Sequence, residues 1–181
     1  METDDSMGKL SCKIIREQPS LSGFSCGKDR IDEHISEAWQ IVLMRRSVLY
    51  EILVDGKQVG FLSYYIKNYP DTEIDLDEEE YQCSFEKYMN RYFCSAHIEY
   101  IAVREEYQNC KIGTRAMQWF IKYVQTYLPV RYITLDSTAD NVSWYKRLGF
   151  SSQGSGDAGN TIMHKDLRNI EELERISEQM E

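Results

Sequence analysis

The 181-residue chain carries 30 acidic against 21 basic side chains, a net charge of −9 and a pI near 4.9. That balance argues against a nucleic-acid partner, because phosphate backbones are held by clustered Lys and Arg. Its 42% hydrophobic and 12% aromatic content belongs to a folded globule, and no apolar run approaches the roughly 20 residues of a membrane span. The polar start, Met1–Lys9, lacks the features of a secretory signal, so the expected location is cytoplasmic, away from any membrane. The cysteines (Cys12, Cys26, Cys83, Cys94, Cys110) are odd in number and scattered, and only His34, His97 and His164 accompany them. They read as free thiols in a reducing compartment, with no metal-ligand spacing, and no metal is expected.

Along the chain, Ser11–Arg16 alternates weakly and reads as a first strand. Leu21-Ser-Gly-Phe-Ser-Cys-Gly27 is a turn-rich lead into a helix from Asp29 to about Arg46, where Ile31, Ile35, Ala38 and Ile41/Val42 recur at helical spacing. Ser47–Val54 and Gln58–Ile66 are strands flanking Asp55-Gly56, a pair that tolerates the positive φ of a tight hairpin. Asn68–Tyr92 breaks the pattern with an acidic insert, Asp71–Glu80, and a short helix over Ser84–Tyr92. Ser95–Arg104 is strand again and Gln108–Gly113 a polar turn. Ile112, Ala116, Phe120, Val124 and Leu128 then mark a long amphipathic helix stopped by Pro129. Arg131–Asp136 is a strand, Val142–Leu148 a short helix ending at Gly149, Thr161–Leu167 a last strand, and Glu171–Glu181 a charged tail or helix. Without repeats or linkers, residues 1–170 read as one domain followed by the tail 171–181. The order predicts an α/β fold, a mixed sheet with helices on both faces.

Chemistry concentrates in two windows. In the first, the strand Glu99-Tyr-Ile-Ala-Val103 leads into Tyr107-Gln-Asn-Cys-Lys-Ile-Gly113-Thr. A strand that turns tightly into a helix aims unpaired N–H groups and the positive end of the dipole at one point, which suits an anion. An ordinary strand-to-helix turn with a glycine at a tight contact fits that window equally well. The second is Asp140-Asn141-Val-Ser-Trp144-Tyr145-Lys-Arg-Leu-Gly149-Phe150, after the next strand.

Together the two windows, from about Ile98 to Phe150, resemble the GNAT superfamily of N-acetyltransferases. In that family a Gln/Arg-x-x-Gly-x-Gly/Ala turn grips the coenzyme A pyrophosphate, and an Asn…Tyr-x-x-x-Gly-Phe segment serves the pantetheine arm. The resemblance implies a GNAT-like fold, a mostly antiparallel central sheet with helices on both faces, and acetyl-CoA as cosubstrate. It assigns the backbone of Ile101, Ala102 and Val103 to pantetheine, and Gln108, Asn109, Cys110, Lys111, Ile112, Gly113 and Thr114 to the pyrophosphate. Asn141 and Ser143 go to the cofactor arm, although an Asn before a helix is also a good cap. Tyr145 takes the place of the general acid, protonated at neutral pH and able to serve a departing thiolate. Glu99 is the expected base, with His97, on the same strand face by alternation, or a bound-water chain as the alternates. Cys110, in the phosphate turn, is rejected as a nucleophile.

One position departs from the family pattern: Lys111 stands where the first glycine is usual. If positive φ is needed there, lysine carries a strain of about 1 kcal/mol; otherwise its charge sits beside the phosphates. The lead Leu21–Gly27 with Ile31-Asp32 resembles a subgroup containing toxins that acetylate aminoacyl-tRNA. The expected acceptor is a primary amine of a small molecule or peptide, drawn in by the acidic Asp71–Glu80 segment. The alternatives are a toxin acting on aminoacyl-tRNA and a catalytically degenerate CoA-binding protein. A homodimer and an antitoxin partner are both left open.

Overall fold

A computed structural model describes residues 8–70 and 92–168. The acidic insert Asp71–Glu80, Cys83, the helix expected over Ser84–Tyr92 (save Tyr92 itself) and the tail from Glu171 lie outside the described residues.

The elements run β1 (Leu10–Ile14), α1 (Asp29–Leu43), β2 (Val48–Val54), β3 (Lys57–Pro70), β4 (Tyr92–Val103), α2 (Ile112–Tyr127), β5 (Tyr132–Ser137), α3 (Val142–Arg147), β6 (Ser151–Ser155) and β7 (Thr161–Asp166). The strands form one sheet in the order β1-β2-β3-β4-β5-β7-β6. Every neighbouring pair is antiparallel except β4 with β5. At the β2–β3 hairpin Asp55 and Gly56 take φ of 49° and 80°, the left-handed pair a two-residue turn demands. Strand β6 was not anticipated. Ser-Ser-Gln-Gly-Ser has no apolar alternation, and its place at the sheet edge comes from pairing with β7.

Period-2 alternation gives the sheet two apolar faces. On one, α1 packs Ile35 and Ala38 against Leu49, Phe61, Tyr100 and Ala102. On the other, α2 buries Ile112, Ala116, Met117, Phe120 and Val124 over Tyr50, Ile52, Leu62, Tyr64, Ile98, Ile133 and Leu135. Each large side chain so buried contributes about 1.5–3 kcal/mol, enough to hold the start of α2 where the sheet ends.

Strand β4 changes character half-way. Tyr64 pairs Ile98 and Ser63 pairs Tyr100, so Glu99 is the extra residue of a β-bulge. Before it Ala96 and Ile98 face α2; after it Tyr100 and Ala102 face α1. The parallel pairing with β5 runs only from Ser95 to Ile98. Beyond the bulge β4 no longer pairs with β5.

Candidate active site

The turn from β4 to α2 is built on two left-handed residues, Asn109 (φ 60°) and Lys111 (φ 55°, ψ 9°). Lys111 immediately precedes α2, so a left-handed residue followed by a helical one directs successive N–H groups to one point. The first N–H groups of α2 have no intrahelical acceptor, and no side chain caps them. With the helix dipole behind them, they form an anion cradle. Of the two alternatives for Lys111, the backbone takes the strained one, at about 1 kcal/mol.

The cleft below this turn has a volume of about 460 Å³. Of the residues singled out from sequence, Ile101, Ala102 and Val103 form its β4 wall. Gln108, Asn109, Lys111, Ile112, Gly113 and Thr114 form its end at α2, and Asn141 and Tyr145 line the α3 side. Arg104 N donates to Val59 O, so ladder alternation turns the backbone groups of Ile101 and Val103 away from β3 toward the opening. A Cβ on Gly113 would stand 3.6 Å from the Trp144 ring, and Trp144 Nε1 donates to Thr114 Oγ1 at 3.1 Å, tying α3 to α2.

Three of the expected residues do not line the cleft. Cys110 and Ser143 are exposed outside it. Glu99, half-buried at the bulge, accepts a hydrogen bond from Ser63 Oγ at 2.5 Å.

Sequence reasoning missed one wall entirely, the N-terminal loop carrying Cys26, Lys28 and Ile31, together with Tyr107 and Trp144. The loop is fastened to the β4–α2 turn. Gln108 Nε2 donates to Cys26 O (2.8 Å) and Val103 O (3.0 Å), Arg104 Nη1 to Gly23 O (2.6 Å), and Glu105 N to Ser25 O (3.0 Å). Asp32 accepts from Cys26 N and Ser25 Oγ, both at 2.9 Å, closing the loop onto α1. Local composition announced a turn there, but not what the turn would border. Among the described residues, the charged side chains that line the cleft are therefore of one sign, Lys28 and Lys111, with no Asp or Glu.

Tyr145 reaches the cleft from α3, packed on Trp144 (4.6 Å between ring centroids) and Phe150 (5.6 Å). It is 7% exposed, and burial pushes its phenol well above the ordinary value, so the proton stays on.

The Acetyltransferase (GNAT) family matches residues 22–150, which includes every wall of the cleft. The chain belongs to the GNAT family of acetyltransferases. A search of curated proteins finds no match. Among solved structures, one described as a bacterial toxin superposes with a TM-score of 0.75 at 16% identity, covering 93% of this chain and 97% of that one. AtaT complexed with acetyl-methionyl-tRNAfMet gives 0.73 at 13% identity, covering 91% and 99%. An AtaT mutant bound to acetyl-CoA and the C-terminus of the antitoxin AtaR gives 0.67 at 11%, covering 91% and 97%. At these identities the likeness establishes a shared fold.

Within this GNAT cleft, the geometry suits acetyl-CoA: a strand edge with the Ile101 backbone groups and the Val103 N–H turned to the opening for an amide-bearing arm, a cradle of N–H groups for a diphosphate, and cations without a competing carboxylate among the described residues. His97 stands apart from the cleft lining. Its ring packs on Tyr65 (5.0 Å), and Nδ1 lies 3.0 Å from Thr134 Oγ1. Thr134 Oγ1 donates to Ser95 Oγ, which donates to the Lys67 carbonyl. With both hydroxyl protons used in that direction, His97 Nδ1 must be the donor to Thr134. Burial lowers the pKa of this imidazole to about 4, so it is neutral at pH 7. No helix among the described residues is long and apolar enough to cross a membrane, and no cluster among them has a metal-ligand set.

Proposed function

We propose that the chain is an acetyl-CoA-dependent N-acetyltransferase in which an amine attacks the thioester directly. The observation that carries this reading is the cleft: the Ile101 backbone groups and the Val103 N–H turned to its opening, the uncapped start of α2, and two lysines with no carboxylate beside them among the described residues of an otherwise acidic chain. The cosubstrate supplies the activated acyl group. Ile101 and Val103 offer it backbone groups as a neighbouring strand would. Asn109–Thr114 cradle the pyrophosphate, and Asn141, whose amide nitrogen reaches Thr138 Oγ1 (3.3 Å), keeps its carbonyl for the arm. Gln108 acts differently from the family expectation: its amide nitrogen serves the Cys26 and Val103 carbonyls, so it positions the N-terminal wall. Tyr145 gives its proton to the departing thiolate.

Acetyl-CoA is expected to raise the melting temperature, since it binds only the folded chain, and an amine acceptor is expected to release free thiol. A folded protein showing neither would overturn the reading.

The structural likeness to AtaT over more than nine-tenths of both chains favours one specific form of it. There the acceptor is the α-amine of an aminoacyl-tRNA and the partner an antitoxin. Acetylation of charged tRNA, scored against free amino acids and peptides, decides between that form and a small or peptide-borne amine.

A further inference from the structure

Lys28 and Lys111 reach the same cleft from two separate segments, and each belongs to a fixed part of the fold. Lys111 is held by the left-handed turn at the start of α2. Lys28 ends the N-terminal loop, which Gln108, Arg104 and the Glu105 N–H fasten to that same turn. Lys28 also precedes α1 as its N-terminal flanking residue, and its carbonyl accepts from Ile31 N at 2.8 Å and Asp32 N at 3.0 Å. Its backbone is therefore fixed while its side chain stays exposed at the cleft. Neither ammonium is paired with a carboxylate among the described residues, although acidic side chains outnumber basic ones in the chain. Asp29 adjoins Lys28 in sequence and Asp32 lies one turn on; Asp32 is engaged by Cys26 N and Ser25 Oγ, and neither carboxylate forms an ion pair with Lys28 among the described residues.

We infer that Lys28 and Lys111 form a two-point cationic clamp on the phosphate groups of the cosubstrate. Lys28 is thus a binding residue supplied by the N-terminal loop, and the network of Gln108, Arg104 and Asp32 serves to hold it in place. The left-handed strain at Lys111 fits this arrangement: a lysine is kept where a glycine would cost less, and what it adds is charge. The clamp rests on the acetyl-CoA reading and goes beyond it, because backbone N–H groups alone would satisfy that reading.

The test is affinity measured with two probes, acetyl-CoA and S-acetylpantetheine, which shares the arm and thioester but has no phosphate. Lys28→Gln and Lys111→Gln are each expected to weaken acetyl-CoA about three- to tenfold at low salt. The double variant should lose about the product of the two and flatten the dependence on salt. S-acetylpantetheine should bind all four proteins alike, and Lys28→Arg with Lys111→Arg should restore most of the loss. A double variant with wild-type acetyl-CoA affinity and salt dependence would overturn the clamp while leaving the acetyltransferase reading intact. An equal loss for S-acetylpantetheine would overturn it too, by making the lysines structural. A wild-type protein that does not bind acetyl-CoA would remove clamp and proposed function together.

Discussion

Lys111, Tyr145 and His97 each hold a costly local state, and each state has a measurable consequence. Replacing Lys111 with glycine relieves about 1 kcal/mol of left-handed strain, partly offset by the greater freedom of glycine in the unfolded chain. Lys111→Gly should therefore melt about 2 °C higher without ligand, while binding acetyl-CoA more weakly; a lower melting temperature would contradict the strain at φ 55°. Tyr145 is buried between two aromatic rings, so Tyr145→Phe preserves the packing and removes only the donor. The turnover number should fall about a hundredfold or more with little change in acetyl-CoA affinity. Wild-type turnover would make the tyrosine a packing residue. His97 is neutral in the fold, with its pKa lowered by burial to about 4, while the unfolded chain takes up the proton near pH 6.5. The unfolded state binds more protons between those values, so stability is lost as pH falls from about 6.5 toward 4. The loss attributable to His97 at pH 4.5 is on the order of a few kcal/mol. Urea unfolding of wild type and His97→Gln at pH 7 and 4.5 should show a smaller acid loss in the variant.

Elements with strong periodicity were legible from sequence, and those created by tertiary context were not. Helix α2 follows from Ile112, Ala116, Phe120 and Val124, and the β2–β3 hairpin from Asp55-Gly56. Its assignment to a cofactor came from the resemblance to the GNAT superfamily, whereas the strand–turn–helix around Gln108–Thr114 was itself legible in the residue pattern. The bulge at Glu99 was not, because one inserted residue leaves no mark on composition; it appears only in the register of β3 against β4. Strand β6 exists because β7 offers it an edge. The N-terminal wall escaped for a related reason, since the bonds that fasten it join residues far apart in sequence, Gln108 to Cys26 and Arg104 to Gly23. Gln108→Ala would leave the Cys26 and Val103 carbonyls without that donor. Amide exchange over residues 23–28 should then accelerate, with α2 unchanged, and KM for acetyl-CoA should rise severalfold at nearly constant kcat. Unchanged exchange in the loop would assign Gln108 to the cofactor alone.

For the whole molecule, charge and the identity of the amine are linked. Net charge is −9, yet the cleft presents two lysines, so the anionic cosubstrate of the proposed reaction would be drawn to a local exception in an acidic chain. The Asp71–Glu80 segment, expected to steer a cationic acceptor, lies outside the described residues. Among the described residues no carboxylate or imidazole lines the cleft to take the proton of an attacking amine. An ε-amine with pKa near 10.4 is neutral about once in 2,500 at pH 7, a cost of about 4.6 kcal/mol, whereas an α-amine near 7.8 is neutral about once in seven, at about 1 kcal/mol. The ratio is about 350-fold at pH 7 and about 25-fold at pH 9. An α-amine is therefore expected to outrun an ε-amine in kcat/KM by at least about a hundredfold at pH 7, with the gap narrowing as pH rises. The measurement is thiol release with one peptide blocked alternately at its Nα and its Nε, from pH 6.5 to 9. Equal rates at pH 7 would mean that a protein base acts on the amine, and Glu99→Gln should then open the gap if Glu99 is that base. Among α-amines, salt separates the two forms of the proposal. An acceptor held by an RNA backbone loses affinity steeply with added salt, by phosphate counterion release, whereas a peptide or aminoacyl ester responds weakly once the salt dependence of acetyl-CoA itself is subtracted.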